Sequence, residues 1–159
     1  MGTAALARRG GTEGEARRIP LKLSLKPGER FVLNGAVVQN GDRRSVLVLQ
    51  NKASVLREKD IMQPDEVNSP ARRIYFPVMM MYLDESSAAK FHDEFTLRVS
   101  EFMSATRNPD AMADCVAASR HVLAREYYKA LMTARKLIEY EEQRLGHVAS
   151  GVQQGRGAD

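Results

Sequence analysis

The sequence of 159 residues is poor in the side chains from which most active sites and disulfide frameworks are built. It has one cysteine, three histidines and no tryptophan. A single cysteine excludes an intramolecular disulfide, and His92, His121 and His147 lie too far apart in the sequence to form a helical metal-binding motif. The phosphate-binding, dinucleotide-binding and nucleophile-elbow motifs are missing as well. We therefore expect a protein that is not an enzyme and that needs no cofactor and no metal ion.

Long apolar runs are also missing. The longest run, residues 74–83, is about half of the roughly 20 residues that a membrane-spanning helix needs. The arginines of residues 1–18 are not followed by the apolar region of a secretory signal. We expect a cytoplasmic protein.

The positive charge is concentrated in the N-terminal half of the chain. The formal net charge is +4, and residues 19–63 alone carry eight basic and four acidic side chains, whereas residues 64–159 are slightly acidic. This asymmetry favours an anionic partner for the N-terminal half. The alternative is ordinary solvating charge scattered over the surface.

Composition divides the chain into four segments. Residues 1–18 are rich in glycine and arginine and are predicted to be a disordered leader. Residues 19–63 form a basic β module, residues 64–145 form a helical region, and residues 146–159 form a disordered tail. The sequence thus predicts an α+β protein, with a small N-terminal antiparallel β module followed by an all-helical C-terminal half.

The β module is predicted from alternation and turn signals. Leu21, Leu23 and Leu25 alternate with polar residues at the period of two that a strand requires. Pro27-Gly28 marks a turn, and Asn34-Gly35 is the strongest short hairpin signal because both residues must take a positive φ. We expect about five short strands in a small antiparallel sheet or barrel.

The helical region begins with a capping signal at Ser69-Pro70. Pro77 is expected to kink that helix or to restart it. The methionines at residues 79–81 are expected to fill the core rather than to bind a ligand. An amphipathic stripe follows, formed by Ala88, Phe91, Phe95, Val99 and Phe102.

A second capping signal, Asn108-Pro109, opens a helical pattern that continues to Leu145. This length exceeds that of most globular helices. The pattern either breaks near residues 119–121 or packs as a long hairpin or coiled coil. Cys115 lies within it beside Val116, which favours a buried structural thiol over a nucleophile.

The basic β segment is the best candidate for a functional site. Lys22, Ser24 and Lys26 share one face of the first strand, and Arg57 ends the last strand. If the last strand pairs near the first, these cations converge on one basic edge. Lysine and arginine neutralise phosphates, and arginine also binds a base edge through two hydrogen bonds. The alternative is a solvated face or the protection of an edge strand.

Three runs of sequence resemble the FlbT family. They are PLKLSLKPGERFVLNGAVVQ at residues 20–39, QNKASVLREKDIM at residues 50–62 and ARRIYFP at residues 71–77. The resemblance spans about residues 19–145. It implies a post-transcriptional regulator of flagellum biogenesis that associates with the 5′ untranslated region (5′-UTR) of flagellin mRNA and promotes its degradation or blocks its translation.

The N-terminal half is also similar to the small carbon storage regulator proteins, in which the first and last strands bind RNA, often across a strand-swapped dimer. That similarity implies a homodimer, although Leu25 and Leu56 depart from the polar residues usual in that family. It also implies contacts by Leu23 and Lys26 of the first strand and by the last-strand residues Val55, Leu56, Arg57 and Glu58. With the other cations of the segment, the predicted RNA-binding set is Lys22, Leu23, Lys26, Arg43, Arg44, Lys52, Val55, Arg57 and Glu58.

A second function is compatible with the helical half. This region is nearly neutral and rich in methionine and phenylalanine. It could bind a flagellar protein, either flagellin or a companion flagellar regulator. The two functions are compatible: both would hold if binding of the protein partner controlled the release of RNA.

Overall fold

Within residues 20–154, five short strands precede four α-helices, which confirms the predicted α+β class. The computed structural model describes the backbone of residues 20–154 and the side chains of residues 20–146. The predicted leader, residues 1–18, lies outside the described residues. The chain forms two compact units that divide between Glu58 and Lys59. We call residues 20–58 the β unit and residues 59–154 the helical unit.

The β unit contains two small antiparallel sheets. Its strands are β1 (Leu21–Leu25), β2 (Arg30–Leu33), β3 (Ala36–Gln39), β4 (Ser45–Leu49) and β5 (Val55–Arg57). Strands β1 and β4 form a two-stranded ribbon, and β2 lies between β3 and β5 in a three-stranded sheet. The last strand therefore pairs with β2, and no strand ladder joins it to β1.

The predicted hairpin is confirmed at the turn between β2 and β3. Asn34 and Gly35 have φ values of 48° and 82°, as a two-residue turn of this kind requires. Gly28 has a φ of 70°, which is the conformation that glycine adopts readily at the end of a Pro-Gly turn. Val32 pairs in register with Leu56, and both side chains are buried; Phe31 alternates to the opposite face of β2 and is buried as well.

The helical unit begins with short 3-10 segments and continues with α1 (Pro70–Leu83), α2 (Ala88–Ala105), α3 (Pro109–Leu123) and α4 (Tyr127–Gln154). Both predicted capping residues are confirmed. The Ser69 hydroxyl accepts a hydrogen bond from the backbone N–H of Arg72 at 3.3 Å, and the Asn108 side chain accepts from two N–H groups of the first turn of α3.

Helix α1 is the centre of the helical unit, since it packs against both α2 and α4. It runs through Pro77 as one helix, so the restart that this proline suggested does not occur. Met79 and Met81 are buried, in agreement with their predicted role in the core. The stripe on α2 likewise buries Phe95, Val99 and Phe102.

Helices α3 and α4 form the helical hairpin that was one of the two alternatives for the long C-terminal pattern. The helical pattern also breaks, as the other alternative had it, but three residues later than 119–121, because α3 continues to Leu123 and the chain turns at residues 124–126. Arg125 has a φ of 58°, and its N–H donates to the carbonyl of Val122 at 3.0 Å. A helix ended by a left-handed residue normally shows glycine there, so the sequence did not mark this position.

Helix α4 continues to Gln154, and its last nine residues fall in the segment that the sequence assigned to the tail. Residues 155–159 lie outside the described part of the chain. The buried face of α4 includes Leu131, Ala134 and Leu137. Cys115 on α3 is fully buried, as expected of a structural thiol.

Candidate nucleic-acid interface

Arg57 lies at the end of β5, where it is paired in register with Phe31 of β2. Its guanidinium donates hydrogen bonds to the carboxylate of Glu29, with an Nη2–Oε1 distance of 2.9 Å, and to the backbone carbonyl of Ser24 on β1. The arginine side chain is 30% exposed and the glutamate side chain 14% exposed. The first and last strands are thus linked through the side chain of Arg57, and its positive charge is paired with Glu29 within the β unit.

The Glu29 carboxylate holds the turn between β1 and β2 as well as Arg57. The backbone N–H of Lys26 donates to its Oε2 at 2.8 Å. This hydrogen bond is the main reason why the pKa of Glu29 is lowered, and the Arg57 guanidinium acts in the same direction. The carboxylate therefore stays ionised at neutral pH, and its oxygens are occupied by hydrogen bonds within the β unit.

Asn40 is a residue whose structural role the sequence reasoning missed. Its side-chain amide donates to the carbonyl of Lys26 at 2.8 Å and to that of Arg43 at 2.9 Å, while its Oδ1 accepts from the hydroxyl of Ser45 at 2.7 Å. In the sequence, Asn40 precedes Gly41 and indicated only a turn. Its hydrogen bonds join the β1–β2 turn to the loop between β3 and β4.

Three predicted RNA-binding cations meet at this joined end of the β unit. Leu25 and Ser45 are the last register pair of the ribbon. Lys26 comes directly after β1, and Arg43 and Arg44 come directly before β4. All three side chains are exposed. We name Lys26, Arg43 and Arg44 the basic end.

Lys22 belongs to the same ribbon but not to its end. It pairs in register with Val48, and Ser24 pairs with Val46, so these four side chains share one face. The valines are 62% exposed at residue 46 and 41% exposed at residue 48. This face therefore offers a lysine and uncovered apolar surface together.

Lys52 lies at the opposite end of the β unit from the basic end. It belongs to the loop after β4, which is tied to the β2–β3 turn by hydrogen bonds of 2.9 Å between Ser54 and Asn34. Leu23 and Val55 are half-buried strand residues. Glu58 is exposed and lies 4.0 Å from Arg30, at the limit of an ion pair.

Charge matching separates the predicted cations into two groups. Residues 20–58 carry seven basic and three acidic side chains. Arg57 and Arg30 have acidic partners. Within the described part of the chain, the side chains of the other five cations form no ion pair and no hydrogen bond. These five are Lys22, Lys26, Arg43, Arg44 and Lys52. The positive potential of the β unit thus comes from these five.

Among residues 20–154, no helix combines the length and the apolar character needed to cross a membrane. In the same part of the chain, no three histidine, cysteine or carboxylate side chains are grouped as metal ligands.

Comparison with known proteins identifies the class to which this β unit and helical hairpin belong. The family model described as "Flagellar protein FlbT" matches residues 21–145, which is most of the chain. The chain belongs to the FlbT family.

Curated relatives agree with this assignment. The "Flagellum biosynthesis repressor protein FlbT" of Caulobacter vibrioides (strain ATCC 19089) is 75% identical over 137 residues, which cover 86% of this chain and 97% of that protein. A protein of Caulobacter sp. (strain K31), which carries the same name with the prefix "probable", is 75% identical over 82% of this chain and all of its own length. A relative of Rhodopseudomonas palustris (strain TIE-1) is 38% identical over 80% of this chain and 98% of its own. No solved structure matches the chain.

Proposed function

We propose that this protein represses flagellum biosynthesis in the cytoplasm by binding the 5′-UTR of flagellin mRNA through residues 20–58. Family membership and the names of the curated relatives support the repressor role. The observation that carries the RNA-binding part is the group of five unmatched, exposed cations in so small a unit. Such cations bind nucleic acid by displacing the counterions of its phosphates.

Repression follows from occupancy of the transcript rather than from chemistry performed by this chain. A protein bound to the leader blocks the ribosome, and an untranslated transcript is open to cellular nucleases. The described residues supply cations and hydrogen-bonding groups for binding. The outcome is less flagellin, through lower translation and faster mRNA decay.

The test is a fluorescence titration of the full-length chain with labelled RNA from the organism's own flagellin 5′-UTR. The control is an RNA of the same length and composition in scrambled order. We expect tighter binding to the 5′-UTR and weaker binding as salt rises. Equal affinity for both RNAs at every salt concentration would refute a specific regulator.

Arg57 needs a paired test, because replacing it removes contacts within the protein. Arg57→Ala loses the bonds to Glu29 and to the Ser24 carbonyl as well as any contact with RNA. Glu29→Gln disturbs the same pair but keeps the guanidinium. If Arg57 reads a base, Arg57→Ala weakens binding by about 1–3 kcal/mol more than Glu29→Gln does. Equal losses would assign Arg57 a structural role only.

The helical unit supports a second function, the binding of a flagellar protein. Val116 and Leu123 are seven residues apart on α3 and therefore lie on one face, and their side chains are 39% and 74% exposed. Uncovered apolar side chains on one helix face favour a protein partner. The partner would be flagellin or a companion flagellar regulator.

This second function is tested with purified flagellin and the full-length chain. Leu123→Asp should abolish co-purification while leaving RNA affinity unchanged. The matched control is Leu145→Asp, since Leu145 on α4 is 63% exposed and lies on another helix. Flagellin retained by Leu123→Asp would count against this face.

A further inference from the structure

The basic end places cations next to one another in a part of the β unit where none of their side chains forms an ion pair with a described residue. Lys26 and Arg44 follow the register pair Leu25–Ser45 on neighbouring strands. Like charges at opposed positions of an antiparallel pair destabilise it. The nearby carboxylate of Glu29 is already bound to a backbone N–H and to Arg57. A negatively charged ligand would remove this repulsion.

The loop that carries the two arginines contains one carboxylate, Asp42. Within the described residues it forms no ion pair with the neighbouring cations. Asp42 and the three cations of the basic end together carry a formal charge of +2. The excess positive charge therefore remains available to a partner.

The backbone of the basic end is fixed before any ligand arrives. The Asn40 amide donates to the carbonyls of Lys26 and Arg43 from one nitrogen atom. Gly28 N–H donates to the carbonyl of Gly41 at 2.8 Å, and Asn40 N–H donates to that of Glu29 at 2.8 Å. Two turns that are distant in sequence thus behave as one piece. A prearranged site loses less conformational entropy on binding.

We infer that Lys26, Arg43 and Arg44 form the phosphate-binding end of the β unit for single-stranded RNA, and that Asn40 is the residue that positions them. The inference rests on the proposed function and locates it within the unit. The planar guanidinium group of arginine and the ammonium group of lysine both donate hydrogen bonds to phosphate oxygens. The exposed valines 46 and 48 continue along the same strand as the arginines and offer apolar surface to unpaired bases.

This assignment shifts the site away from the last strand, where the similarity to carbon storage regulators placed half of it. Arg57 is matched by Glu29, whereas the basic end has no such partner. Lys22 extends the line of charge along β1. It lies four residues from Lys26, or about 13 Å at the rise of an extended strand.

The experiment measures RNA affinity of the full-length chain as a function of salt, with the labelled flagellin 5′-UTR as the probe. The variant is the double substitution Arg43→Gln/Arg44→Gln. The slope of log affinity against log salt should decrease in magnitude by about 1.4, since each phosphate contact contributes about 0.7 on a single strand. Arg107→Gln/Arg120→Gln removes two exposed arginines of the helical unit instead; it is the control and should leave the slope unchanged.

Asn40→Ala tests the positioning role. It should weaken RNA binding in the wild-type background and have little further effect in the Arg43→Gln/Arg44→Gln background. A substitution that only loosens the fold would weaken binding equally in both backgrounds, which would overturn the role of Asn40. Thermal melting of each variant confirms that the proteins compared are folded.

The outcomes separate this inference from the proposed function. If the wild-type chain binds the 5′-UTR but the double variant keeps the wild-type slope, the basic end is wrong and the proposed function stands. If the wild-type chain does not bind the 5′-UTR, both fail. If the double variant loses binding to purified flagellin and keeps its affinity for RNA, the basic end serves a protein partner and the inference is overturned.

Discussion

Leu56→Ala should unfold the β unit and leave the helical unit folded. Leu56 is 1% exposed and pairs in register with Val32, which is 7% exposed. Removing the side chain of a fully buried leucine costs about 2–5 kcal/mol. A unit the size of residues 20–58 has a total stability of about 2–6 kcal/mol. The substitution therefore removes most or all of the stability of this unit.

The assay is amide hydrogen exchange resolved by peptide, with far-UV circular dichroism as a check on the helices. We expect the peptides of residues 20–58 to lose protection while those of α1 and α4 keep it. RNA affinity should fall with the loss of protection. Val37→Thr is the matched control, because Val37 is 74% exposed on β3 and threonine keeps the branched shape. Its effect should stay within about 0.5 kcal/mol.

Two results would refute this reasoning. Full protection of residues 20–58 in Leu56→Ala would show that the buried leucine contributes far less than its burial suggests. Parallel loss of protection in the helices would show that the two units unfold together. Either result would also change the interpretation of RNA-binding variants in the β unit.

Three further predictions follow from particular residues. Arg125→Gly should stabilise the helical unit by about 0.5–1 kcal/mol. Glycine removes the steric strain that a side chain suffers at a φ of 58°, and this gain exceeds the entropy that glycine loses on folding. Thermal melting measures the change, and an unchanged melting temperature would contradict the prediction. Burial raises the pKa of Cys115 to about 11, so iodoacetamide should alkylate it far more slowly in the folded protein than in urea at mildly alkaline pH, and equal rates would show that the thiol is accessible. Since the pKa of Glu29 is lowered below its ordinary value of 4.5, its stabilising effect is complete above that value and is lost as pH falls through the folded-state pKa. The stability difference between the wild type and Glu29→Gln should shrink in acid, and a constant difference would refute the role of the ionised carboxylate.

Much of the fold could be predicted because its signals are local. The positive φ at Asn34 and Gly35 follows from the chemistry of one dipeptide. The caps at Ser69 and Asn108 follow from short polar side chains next to proline. In each case the residues that determine the conformation lie within a few positions of one another. The exception is Arg125, where a left-handed conformation is held by a residue with no intrinsic preference for it.

The candidate site depended on contacts between distant parts of the chain. The sequence by itself determined that the first half is basic, forms strands and belongs with the FlbT family. The tertiary structure decided which cations are matched: Arg57 meets Glu29 across 28 positions of sequence, and Asn40 joins the Lys26 turn to Arg43 across 14 and 3 positions. The alternation of residues predicts which face of its own strand each side chain occupies. It does not predict which other strand or side chain that face contacts. Only the paired strands and turns show that three of the five unmatched cations lie at one end of the β unit.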